Sequence, residues 1–81
     1  METRVAIVSA IVESFQNIDE FNAILHEFGD YIIGRMGVPY RAKNISVVSV
    51  VIDAPMDVIN ALSGKLGRLE GISAKTLLSN S

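Results

Sequence analysis

"ISVVSVVI", residues 45–52, is the stretch on which the fold turns: six β-branched aliphatic residues, two serines, and no glycine, proline or charge. It reads as a strand. It is too short and too rich in branched residues for a helix. Both of its alternating sets are apolar, Ile45, Val47 and Val51 on one and Val48, Val50 and Ile52 on the other. A strand of this kind is covered on both faces.

Downstream, Asp53-Ala54-Pro55 starts a helix, with Asp53 as its cap and Pro55 in the first turn. Val58, Leu62 and Leu66 form its apolar stripe, with Gly64 inside it. Gly67 ends it and Gly71 opens a final strand, Ile72 to Leu78. Upstream, Arg41-Ala42-Lys43-Asn44 turns the chain after a strand running from Tyr31 to Tyr40. Before that, Ile18, Phe21, Leu25 and Phe28 recur at helical spacing. Asn17 and Glu20 stand at capping-box positions, and Gly29 closes that helix. Ser14-Phe15-Gln16 is a loop, and "RVAIVSAIV", residues 4–12, is the first strand.

The order is β-α-β-β-α-β, the ferredoxin-like α+β pattern: a four-stranded antiparallel sheet with both helices on one face. The first and third strands are then central. The first strand is also apolar on both sides, with Val5, Ile7 and Ile11 on one and Ala6, Val8, Ala10 and Val12 on the other. Two helices cover one face only. The other is larger than the apolar patch a soluble monomer shows. A second copy is the expected cover, giving a homodimer or homotetramer. The tail after Leu78, "SNS", is expected to be too short to cover it.

The 81 residues make one domain, 1–81. Apolar residues are 49% and charged residues 20% of the chain, which fits a globular protein. Absence of cysteine rules out disulfides and thiolate metal sites. The start, Met-Glu-Thr-Arg, lacks the layout of a signal peptide. No apolar run approaches the roughly 20 residues of a membrane span. A cytoplasmic protein that does not engage membranes is expected. Net charge is −2, although residues 31–44 carry three cations and no acid. The chain as a whole is therefore a poor partner for nucleic acid.

Those cations define the candidate site, "YIIGRMGVPYRAKN", residues 31–44. Tyr31, Arg35, Tyr40, Arg41 and Lys43 could hold a small or anionic ligand. In a regular strand Tyr31, Arg35 and Pro39 share one face, and Tyr40 shares the other with Ile32, Met36 and Val38. The competing reading is an edge strand in which Gly34, Gly37 and Pro39 permit close packing against a partner. The packing reading is preferred, because edge cations also serve solubility and edge protection. His26 lies off the apolar stripe of its helix, exposed, and one imidazole makes no metal site. Asp30 calls for a local partner such as Arg35 or Lys43. None of the serines sits in a nucleophile elbow. "SGKLG" lacks the upstream glycine of a phosphate loop. No enzyme activity, cofactor or metal is expected.

"GDYIIGRMGVPYRAKNISVVSVVIDAP", followed by "ALSGKLGRLEGISAKTLLS", resembles the small regulators of iron-only hydrogenase systems over nearly the whole chain. Those proteins are similar in fold to ACT domains and to the sensing domain of nickel-responsive repressors. The resemblance implies a sensing or regulatory module. It carries over few functional residues. Nickel-sensing domains use several histidines and a cysteine, where this chain has His26 alone. ACT domains that bind amino acids place a glycine after the first strand, where this chain has Ser14-Phe15-Gln16-Asn17. The chain is also too short for a ribbon-helix-helix segment. Three readings follow: a regulatory module binding a small ligand at a subunit interface, a pure assembly module serving itself or a hydrogenase-maturation partner, and a nucleic-acid binder using residues 31–44.

Overall fold

The computed structural model describes residues 2–80. Six main elements follow one another: β1 (Arg4–Val12), α1 (Ile18–Glu27), β2 (Ile32–Tyr40), β3 (Ile45–Ala54), α2 (Met56–Gly67) and β4 (Ile72–Leu78). The strands form one antiparallel sheet in the order β2-β3-β1-β4, so β1 and β3 are the central pair.

Alternation decides which side chains enter the core. Ala6, Val8, Ala10 and Val12 of β1 are buried, as are Val48, Val50, Ile52 and Ala54 of β3. Small residues in β1 let the helices come down onto the sheet. Phe21 and Leu25 of α1, and Ile59, Leu62 and Leu66 of α2, fill the space above them. No polar or charged side chain is buried among the described residues, so the core is held by apolar burial and dispersion alone.

Several local expectations need correction. Asn17 holds the N-cap position of α1, but its side chain makes no capping hydrogen bond; its Nδ2 donates instead to the Glu70 carbonyl at 3.2 Å, tying the start of α1 to the loop before β4. The residues before α1 form a 3-10 turn, Phe15–Asn17, in which the Ser14 hydroxyl accepts from the Gln16 N–H. Asp53 remains in β3 and caps nothing, because the strand runs on to Ala54 and Pro55 takes the N-cap position. The Asp57 carboxylate meets the first turn instead, accepting from the Val58 N–H at 3.0 Å. The stripe of α2 is centred on Ile59, Leu62 and Leu66, with Val58 only partly buried. Tyr31 belongs to a 3-10 turn, Gly29–Tyr31, and β2 starts at Ile32.

Two turns need left-handed backbone. Asn44, at φ 55°, ends the Arg41–Lys43 turn, a conformation asparagine tolerates. Gly71, at φ 79°, opens β4. Its carbonyl accepts from the N–H groups of Glu13 and Ser14 at 2.7 and 3.2 Å. A Cβ there would stand 2.4 Å from Ser14 Cβ, so this position requires glycine.

Candidate functional site

The basic segment does not gather into one site. The register of β2 on β3 shifts between Ile32 and Gly34, which makes Ile33 the extra residue of a bulge. Ile32 pairs with Ile52 and so falls on the helix-covered face rather than with Met36 and Val38. Arg35, Gly37 and Pro39 pair with Val50, Val48 and Ser46 and lie toward the helix-covered side. Tyr40 pairs with Ile45 on the opposite face. Arg41 and Lys43 occupy the exposed turn beyond it.

Arg35 is turned toward α1. Its Nη2 donates to Asn22 Oδ1 at 3.2 Å, above a shallow cleft floored by Leu25 and Ile32 and rimmed by His26 and Gly29. Asn22 and His26, one helical turn apart, are the neighbours of Arg35 that reading along the chain missed. Their i, i+4 spacing places them on one helix face, but only the sheet register shows that Arg35 meets that face. Asp30 has no ion pair among the described residues; the salt bridge present there joins Lys65 to Glu27 at 2.8 Å across the two helices. Of the three cations, Arg35 lies on β2 toward α1, and Arg41 and Lys43 lie in the exposed turn that follows β2. No three His, Asp or Glu side chains among the described residues are grouped to hold a metal ion.

Gly34 and Gly37 face no close neighbour: a Cβ at either would meet nothing within 4 Å. Neither has positive φ. Nothing within the described chain therefore demands glycine at these positions.

The broadest unusual surface is the sheet face away from the helices. Its rows follow from the register. Ile7 stands between Val51 and Leu77, and Ile11 stands between Val47 and Ser73. On β2, Met36 and Val38 extend the apolar area. Ile7 is 37% exposed, Val47 39%, Ile11 43% and Leu77 69%, so no described segment lies over them. The accessible surface totals 5332 Å² for 8.8 kDa, against about 4,800 Å² expected of a folded monomer of that mass. Among the described strand residues on this face, Lys75 is the cation and Asp53 the acid. Ser9 and Ser49 face each other at its centre, with no histidine beside them, since α1 lies across the sheet.

With this geometry in place, the chain can be set beside known proteins. A family model described as "TM1266-like: Iron-only hydrogenase system regulator, putative" matches residues 4–76. The solved structure of the uncharacterized protein TM1266 from Thermotoga maritima is 35% identical, with a TM-score of 0.91, covering 95% of this chain and 98% of that one. A formyltetrahydrofolate deformylase from Pseudomonas putida KT2440 is similar over 95% of this chain and 29% of its own, at TM-score 0.67 and 14% identity. An unknown protein from Galdieria sulphuraria is similar at TM-score 0.65 and 14% identity, over 99% of this chain and 47% of its own. The last two share the fold alone. No curated protein matches.

Proposed function

The chain belongs to the TM1266-like family, and from that premise we propose that it is a non-catalytic regulatory module of an iron-only hydrogenase system, working as a homo-oligomer in the cytoplasm and binding a small ligand where subunits meet. The observation that carries this reading is the bare apolar sheet face. Ile7, Ile11, Val47 and Leu77 all stand exposed on it. Large apolar side chains exposed together on one sheet face mark an interaction site.

A second copy is the occupant that fits. The face is nearly neutral, with one cation and one acid on the described strands, so it offers no charge pattern to select an unlike partner. A sheet covered by its own copy buries like against like about a two-fold axis, with the sheets about 10 Å apart. The description of the matching family as a regulator supports regulation over catalysis.

Light scattering of the full chain at micromolar concentration tests the reading. The expected mass is a multiple of 8.8 kDa. A single-chain mass across that range would overturn it.

A further inference from the structure

The open face is apolar except along one line. Ser9 and Ser49 stand opposite each other in the two central strands, and the same row continues to Lys75 on β4 and to Met36 on β2. The flanking rows place Ile7 against Val51 and Ile11 against Val47. Serine is smaller than valine or isoleucine, so the pair floors a shallow polar trough between aliphatic ridges. Directly opposite residues in a sheet have Cβ atoms about 4.5–5.5 Å apart, so the stem of Lys75 can bring its ammonium over the serine hydroxyls. Lys75 has no ion-pair or hydrogen-bond partner among the described residues. The acid on the same face, Asp53, lies at the far end opposite Val5.

We infer that Ser9, Ser49 and Lys75, together with their counterparts in a second copy, form a site for a small oxyanion, a carboxylate or a phosphoryl group, at the centre of the subunit interface. This rests on the proposal that a second copy covers the face. Covering it strips water from two Lys75 ammonium groups, neither of which has an acid beside it within its own chain among the described residues, and a buried unpaired charge is strongly unfavourable. A bound oxyanion supplies the missing negative charge and accepts hydrogen bonds from the ammonium and the hydroxyls. Lysine is a compact point charge, suited to a small anion rather than to flat bidentate recognition. The aliphatic ridges on both sides exclude a large ligand. Neither copy holds the whole site, so ligand and assembly support each other by linkage. The competing arrangement is a Lys75 that extends to the rim of edge strand β4 and stays in water, with no anion bound.

The test is calorimetric titration of the full chain in chloride buffer at fixed ionic strength, with sodium phosphate and sodium acetate as separate probes and light scattering alongside. Saturable binding by the oligomer is expected, and the two probes tell a phosphoryl group from a carboxylate. Lys75→Met should keep the oligomeric mass and weaken binding by about tenfold or more, as loss of a charge-assisted contact does. Ser9→Ala combined with Ser49→Ala should also keep the mass and weaken binding. Ile7→Glu should give single chains that bind neither probe. An intact oligomer that takes up neither anion, or a Lys75→Met oligomer that binds as tightly as the parent, overturns the site and leaves the assembly standing. A parent that is monomeric overturns both.

Discussion

Val50 and Val51 are neighbours in β3 and are separated by the sheet: Val50 is 1% exposed beneath the helices, whereas Val51 stands opposite Ile7 on the bare face. The same substitution at the two positions therefore has different consequences. Val50→Asp forces a carboxylate among apolar side chains with no partner. It should cost about 3–5 kcal/mol, a large part of the roughly 4–12 kcal/mol expected for a domain of this length. Urea denaturation should show a collapse of the midpoint, or no folded baseline at all. Val51→Asp should keep the far-ultraviolet circular dichroism of the parent and lose oligomeric mass.

Gly71→Ala should destabilise by about 1–3 kcal/mol, combining the left-handed backbone with contact against Ser14. The Glu13 and Ser14 N–H groups that depend on the Gly71 carbonyl should then lose hydrogen-exchange protection. A melting curve indistinguishable from the parent would contradict this.

The two glycines of β2 should behave differently from Gly71 and from each other. Neither has positive φ, and a Cβ at either meets nothing within 4 Å. Alanine at each should leave stability unchanged or raise it by about 0.4–1 kcal/mol. Gly34 shares the bare face with Val51, whereas Gly37 lies on the other side. Sedimentation velocity should therefore find assembly altered in Gly34→Ala and unchanged in Gly37→Ala.

The Lys65–Glu27 pair is exposed at both ends, and Lys65 Nζ also lies 5.5 Å from the centre of the Phe28 ring. Lys65→Met should cost less than about 1 kcal/mol. The difference from the parent should shrink in 1 M salt, where the screening length is about 3 Å. A difference that persists at high salt would assign the contribution to packing on Phe28.

What could be read from the chain followed from periodicity. "RVAIVSAIV" has the bounds of β1, and the two apolar parities of β1 and β3 place both strands at the centre of the sheet. What could not be read depends on how elements sit against each other. Val58 and Ile59 both lie near Leu62 on α2, and the roll of that helix over the sheet, not its period, buries Ile59. Asn17 has the right type for a cap but finds the Glu70 carbonyl, a residue distant in sequence. The bulge at Ile33 reverses the face of Ile32, while Arg35 and Pro39 on one face and Met36, Val38 and Tyr40 on the other keep the grouping that alternation gives. The Arg35–Asn22 contact follows from that register and from the position of α1, neither of which a single segment encodes.

The most direct measurement of the central claim, assembly through the bare sheet face, is sedimentation equilibrium of Val47→Glu beside the parent, with far-ultraviolet circular dichroism of both. Val47 is 39% exposed in the single chain, so the glutamate can be solvated there and the fold should persist. Between two copies the same carboxylate would be buried without a partner. The predicted result is a native-like spectrum with a mass of 8.8 kDa for the variant and a multiple of it for the parent. A variant that keeps the parent's multiple would contradict assembly through this face.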